Sequence, residues 1–414
     1  MALLLAELFL WAGVAASPAS DTDNWPQFRG PTGDGHSRAT GLPLTWSETE
    51  NVRWKTPIHG RGWSSPVVWG DQIWMTTAPE DGREAFAVAV DRRTGKILHD
   101  IKVFDVPKPQ EINALNSYAS PTPVIEAGRV YVSFGAHGTA CLDTATGRVL
   151  WTRRDLECDH FRGPGSSPIL VDGLLILPFD GFDLQYVVAL DKATGKTVWK
   201  TDRSTKFGDI DGDFRKAFCT PIVIQVGSQR QLISPASKAA MAYDPRTGDE
   251  LWKIGFEAHS STSRPLAAGG LVFIFTGFGK SELWAVRPDG RGDVTESHVA
   301  WKYSRSVPCK PSAVLVGKLI FMVMDTGRAA CLEAATGREL WQKRLGGDYS
   351  ASPIVAEGRI YFSSHDGRTT VIEANRAGNI LAVNRLDDGF MASPAVSGKS
   401  LILRTKKRLV CIER

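Results

Sequence analysis

The chain is poor in cysteine: six residues in 414. No two are adjacent, and no CxxC, CxxCH or cysteine–histidine cluster occurs. This excludes the usual zinc spacings and covalent haem attachment. Long runs of one charge are also missing. Forty-nine basic residues stand against 45 acidic ones, a net charge of +4, and the stretch Lys406 to Arg408 is too short to form a stripe. A nucleic-acid partner is therefore not expected. Beyond the first twenty residues no apolar run is long enough to span a bilayer, so no transmembrane segment is expected in the mature chain. Helix content should be very low.

What is present is repetition. Asp91 to Gly95 reads DRRTG, Asp143 to Trp151 reads DTATGRVLW, and Asp191 to Trp199 reads DKATGKTVW. Asp244 to Trp252 reads DPRTGDELW, and Glu333 to Trp341 reads EAATGRELW. A repeat of about forty to fifty residues means a solenoid, propeller or array. A second mark precedes each unit, a proline at Pro66, Pro123, Pro168, Pro221, Pro265, Pro311, Pro353 and Pro394. After each comes an apolar run, a glycine turn, a second run, a polar turn and two further runs. That is four short strands. Proline suits the first residue of a strand, where its missing N–H costs least. Such units bury both faces only by packing radially, which gives an all-β, eight-bladed β-propeller of four-stranded antiparallel blades, with seven blades the alternative if one degenerate unit is not a blade. The tryptophans Trp151, Trp199, Trp252, Trp301 and Trp341 share one register of the fourth strand and should pack on the neighbouring blade. The unit after Pro265 is the least regular, because RPDGRGD replaces the DxxTG turn.

Only three strands follow Pro394. The segment Asn51 to Lys55, NVRWK, has Trp54 at the tryptophan register and should supply the fourth, closing the last blade and hiding both edges. Residues 1–20 read as a signal peptide, with cleavage after Ala16 or Ala19. Residues 21–50 form an irregular leader in which Trp25 and Phe28 should clamp the ring, and 51–414 form a single propeller domain. The expected location is periplasmic or secreted. Cys141, Cys331 and Cys411 occupy one register of the third strand in three units and read as small buried hydrophobes. A Cys158–Cys219 bridge between neighbouring blades is left open.

The units resemble those of the quinoprotein dehydrogenase-like (PQQ-like) eight-bladed β-propeller repeat proteins, which are related in fold to an outer-membrane assembly lipoprotein. The likeness runs from Trp25 onward and rests on the recurring TG-xxx-W spacing. The opening WPQFRGPTGDG resembles a large group of secreted quinoprotein-like propellers. For the enzymatic members, the resemblance implies a quinone held between a tryptophan and a disulfide of adjacent cysteines, an aspartate base, and glutamate and asparagine on calcium. This chain has no Cys-Cys pair, and no motif in it matches the other residues. There is no lipoprotein-type cysteine near its start.

One face of the ring should carry the repetitive DxxTG turns. The other should carry the segments leading into each proline, which differ from blade to blade as expected of a site grafted on a scaffold. Ligand-binding candidates on this variable face are Arg61, Trp63, Tyr118, His160, Arg162, Lys216, Arg264, Lys310, Tyr349 and Phe390. Converging cations would attract an anion or acidic glycan, and the rings would stack on a sugar or planar group. Asp209, Asp211 and Asp213 resemble the start of a calcium loop but lack its later glutamate. Asp180, or Asp366 beside His365, is a candidate general base. No catalytic constellation is complete, so whether the chain is an enzyme stays open. The expectation is an exported PQQ-like propeller that binds a partner protein or an anionic glycan, with no cofactor. The alternative is a periplasmic enzyme acting at the central channel mouth, either a quinone-dependent oxidoreductase or a polysaccharide-processing enzyme, with PQQ or calcium as the cofactor to consider.

Overall fold

Short apolar runs broken by glycine and Asx turns fold as tightly connected antiparallel strands. The computed structural model describes residues 24–414. The expected signal peptide lies outside the described residues. Eight sheets form, seven of four strands and one of five. Blade 1 consists of Val67–Trp69, Gln72–Thr77, Glu84–Asp91 and Ile97–Asp105. Blades 2 to 7 repeat this order, opening at Val124, Ile169, Ile222, Leu266, Val314 and Ile354. Blade 8 takes Ala395–Ser397, Ser400–Arg404 and Arg408–Ile412, and Val52–Pro57 pairs antiparallel with the last of these. The closing strand is therefore the one expected. Hydrophobic clusters each span a blade junction, as between Trp74 of blade 1 and Val130 of blade 2, so the core is a ring of interfaces.

The repeat is explained by what each tryptophan touches. The Nε1–H of Trp151 donates to the Lys192 carbonyl in the next blade's turn at 3.0 Å. Trp54, Trp199, Trp301 and Trp341 do the same to Arg92, Pro245, Ala334 and Arg376. The DxxTG glycine leaves room for the indole. A Cβ on Gly195 would lie 2.7 Å from Trp151. The aspartate builds the turn, with Asp143 Oδ1 accepting from the backbone of Ala145 and Thr146 and from the Thr146 hydroxyl. Blade 5 lacks the motif, and a glutamine replaces it. Trp252 donates to Gln231 Oε1 at 2.8 Å, and Gln231 Nε2 donates to Pro288 O at 3.0 Å. The irregular segment then adds Gly292–Asp293 as a fifth, parallel strand on blade 4.

A second belt circles the axis one residue before each first-strand proline. Ser65 N donates to Thr122 Oγ1, Thr122 N to Ser167 Oγ, and Ser167 N to Thr220 Oγ1. Arg264 N donates to Ser312 Oγ, Ser312 N to Ser352 Oγ, and Ser352 N to Ser393 Oγ. Ser393 N returns to Ser65 Oγ. In blade 6 this register corrects the sequence reading. Pro311 is not the strand-opening proline there. Ala313 takes that place, because Ser312 keeps the hydroxyl in line.

Cys141, Cys331 and Cys411 do share a register, opposite Trp151, Trp341 and Trp54. All six cysteines, Cys158 and Cys219 included, are free thiols.

Candidate functional site

The leader closes one end of the axial channel. It has no long strand, yet it bonds backbone to backbone around the ring. Trp25 exchanges two bonds with Val68, and Pro26 O accepts from Ile125. Gly35 O accepts from Val355, whose own carbonyl accepts from Ser37. These are the innermost strands, approached from the side of the DxxTG turns. Trp25, Leu42 and Trp46 are buried in the cluster joining blades 7, 8 and 1. Phe28 stays partly exposed.

Two arginines fix this plug. Arg264 stands where the hydroxyl belt lacks a serine or threonine. Its Nε and Nη2 donate to Pro221 O at 3.1 and 3.0 Å. Its Nη1 donates to Phe28 O at 2.7 Å and Gly33 O at 3.0 Å. Arg29 donates to the carbonyls of Asp34 and Ala313, both at 2.6 Å. Burial pushes the two guanidinium groups down, to about 10 for Arg264 and about 9 for Arg29. The glycines of the leader make room for them. A Cβ on Gly35 would lie 2.8 Å from Arg29 Nη2, and one on Gly33 would collide with Arg264.

The candidates read from the sequence make mostly local contacts. Arg61 lies over the Trp63 ring, 5.1 Å from its centroid, and donates to Ala114 O. Trp63 Nε1 donates to Leu115 O, and Tyr118 Oη to Gln110 O. Arg162 forms a bidentate pair with Asp213 at 2.9 and 2.7 Å. Lys310 pairs with Asp325 at 3.3 Å. His160, Lys216, Arg264, Tyr349 and Phe390 are buried. The ten residues thus divide between the wall and the mouth, and most of their cationic groups already hold a local partner.

His160 and Lys216 form a buried polar cluster between blades 2 and 4. Lys216 Nζ donates to Asp180 O at 3.1 Å and lies over the Phe218 ring. Burial lowers its ammonium to about 8. Burial, with Lys216 nearby, holds His160 well below the usual imidazole range. Its Nε2 finds no hydrogen-bond partner among the described residues and lines a cavity of about 10 Å³ with Gly135 and Asp180. The Asp180 carboxylate is committed to Arg203 at 3.0 and 2.8 Å. Asp366 pairs with Arg368, and His365 bonds Ser350 Oγ at 2.8 Å instead. Asp211 caps the short 3-10 turn Gly212–Arg215 through the Asp213 N–H. Among the described residues no three His, Cys, Asp or Glu side chains converge to hold a metal ion. All six thiols are free and no two cysteines are adjacent in sequence, so the disulfide of adjacent cysteines that the resemblance implies for the enzymatic members is not formed here.

Sequence reasoning did not foresee Phe182, Phe214 and Phe278, which join Phe161 and His259 in an aromatic belt on the variable face. Phe161 packs on Phe182 at 5.2 Å, and Phe182 lies over Gly212. One turn further, Phe214 meets His259 at 4.8 Å, and His259 meets Phe278 at 5.5 Å. Phe214 is 45% exposed and Phe278 61%. The belt runs over blades 3 to 5, with the Arg162–Asp213 pair set into it. Only the tertiary fold brings these rings together, and no local pattern marks them.

The family model described as outer membrane protein assembly factor BamB matches residues 37–201 and 183–414. The assembly factor BamB of Yersinia pestis is 24% identical over 217 residues, covering 47% of this chain and 51% of that protein. The quinoprotein ethanol dehydrogenase of Pseudomonas aeruginosa is 28% identical over 197 residues, covering 45% of this chain and 29% of that enzyme. The match therefore spans about half, or less, of these relatives' own lengths. In solved structures the same fold recurs in BamB from Moraxella catarrhalis, with a TM-score of 0.60 at 12% identity over 87% of this chain and 99% of that one. A europium-containing methanol dehydrogenase gives a TM-score of 0.65 at 12% identity over 94% of this chain and 89% of that one.

Proposed function

We propose, for a chain that belongs to the family described as outer membrane protein assembly factor BamB, that it is an exported docking propeller. Its role is to hold a partner protein during assembly of outer-membrane proteins. The observation that carries this reading is the belt Phe161, Phe182, Phe214, His259 and Phe278, in which Phe214 and Phe278 are exposed and the other three half-buried. Aromatic residues left in water on a rigid ring are a cost unless a partner covers them, and aromatic anchors dominate the energetics of protein interfaces. The belt is edged by the Arg162–Asp213 pair, which can exchange bonds with a partner at the rim. A glycan would need free polar groups to meet its hydroxyls, whereas Arg61, Arg162 and Lys310 are already engaged. A protein partner is therefore the better fit.

The test is a photo-crosslinking amino acid placed at Phe278, with Val198 on the outer rim as control, in cells exporting the protein. The expected product at 278 is a covalent adduct with a β-barrel protein of the outer membrane or a component of its assembly. Equal adducts at both positions, or none at 278, overturn the reading.

A further inference from the structure

Four arginines of this ring are almost completely buried, and three of them donate through both Nη groups, although the Nε of Arg29 has no partner among the described residues. Arg203 holds Asp180 in an ion pair, Arg264 holds four carbonyl contacts, and Arg29 holds three. Arg404 differs. It ends the second strand of blade 8, beside the variable-face mouth, and is 3% exposed. Only Nη1 is used, donating to Ser64 O at 2.9 Å and Ser64 Oγ at 2.6 Å. Among the described residues no carboxylate pairs with it, and burial alone lowers it, to about 9. A buried charge without a counter-charge is costly and calls for a partner.

The unspent edge has a defined shape. Nε–H and one Nη2–H point the same way, as the fork that matches the two oxygens of a carboxylate. The wall beside it is a glycine. A Cβ on Gly62 would lie 2.5 Å from Arg404 Nη2 and 2.5 Å from Thr76 O, so any side chain at this position would crowd that edge. Gly62 needs no positive φ, so its use here is spatial. Trp63, the neighbour of Gly62 in the chain, is partly exposed.

We propose that the Nε–Nη2 edge of Arg404, beside Gly62 at the junction of blades 8 and 1, is a binding site for a carboxylate ligand entering from the variable face. The site is separate from the aromatic belt, which lies over blades 3 to 5, and does not depend on the docking role.

Acetate is the probe. The full-length protein is melted in rising sodium acetate and in sodium chloride of equal ionic strength. Acetate raises the melting temperature of the wild type beyond chloride, because a ligand of the folded state stabilises by mass action. Arg404→Met loses that difference and, in chloride, melts no lower than wild type, since it removes an uncompensated charge. Arg404→Lys keeps the charge but not the fork and needs at least ~10-fold more acetate, the fold-change that one lost charge-assisted hydrogen bond produces. Gly62→Ala behaves like Arg404→Lys. If Arg404→Met does not fold, Arg404→Lys and Gly62→Ala decide. Identical acetate and chloride curves for the wild type overturn the proposal. So does an acetate response that survives in Arg404→Met, or in both Arg404→Lys and Gly62→Ala.

Discussion

The indole of Trp151 rests on Gly195 of the following blade, and its N–H donates to Lys192 O at 3.0 Å in the same turn. Every blade that carries the tryptophan and faces a DxxTG-type turn is latched to its successor in this way. The turn glycine is held at φ +73°, where an L side chain is strained. Gly195→Ala should therefore cost about 1–3 kcal/mol from backbone strain and displacement of the ring. Trp151→Phe, which keeps most of the ring but loses the N–H, should cost about 1 kcal/mol from the hydrogen bond, with some lost packing added. Denaturant unfolding of the two variants checks the order. A Gly195→Ala variant as stable as wild type would mean that the latch does not constrain the blades.

Trp25 is 1% exposed and packed in the cluster that joins blades 7, 8 and 1. Trp25→Ala should destabilise by about 3–5 kcal/mol, as large core truncations do. A shift below ~1 kcal/mol in the unfolding midpoint would show that the leader adds nothing to the ring.

Arg264→Ser should separate the belt from the plug. The new hydroxyl falls in line with Thr220 N and can complete the belt, while Phe28 O and Gly33 O lose their donor. The expected outcome is a ring that stays folded and a leader that loosens. Trypsin would then cut after Arg29, which is buried in the wild type. Protection of Arg29 equal to wild type would sink this account.

Lys216 offers a pH test. Its ammonium is lowered to about 8 in the folded chain, against about 10.4 in an unfolded one. Between these values the unfolded chain binds more protons, so stability from this group rises with pH. Below pH 8 the folded state carries the full cost of the buried charge, on the order of 3 kcal/mol by the shift. The wild type minus Lys216→Met difference in unfolding free energy should climb from pH 8 to 10. The buried thiols act in the opposite sense but cancel to first order in that difference. A flat difference would refute the assignment.

The fold was legible because its signals are local. DxxTG, the glycine turns and the tryptophan register each act within a blade or on the next one, and the NVRWK segment showed its own register through Trp54. Blade 6 misled for the same reason. A proline two residues early looked like the marker, while the deciding feature was the Ser312 hydroxyl, whose partner Ser352 lies 40 residues on. The site was far less legible. Arg264 looked like a mouth residue, yet it turns inward to carbonyls more than 230 residues away in the leader. Phe182, Phe214 and Phe278 of the aromatic belt, and Arg404, were missed, because what sets them apart is a surface position in one case and the lack of a counter-charge in the other. Neither quantity exists before the ring closes.

The leader also imposes an order of events. The chain emerges from its N-terminus, yet Arg29 waits for the Ala313 carbonyl, 284 residues later, and Leu44 for Asn384, 340 residues later. The strand Val52–Pro57 waits longer still, for the last strand of the chain. Until then an apolar, unpaired edge and a tryptophan-rich segment must be kept apart from other chains. The plug can seat only on a finished ring, so protection of Arg29 from protease reports completion of the whole molecule rather than the state of any one blade.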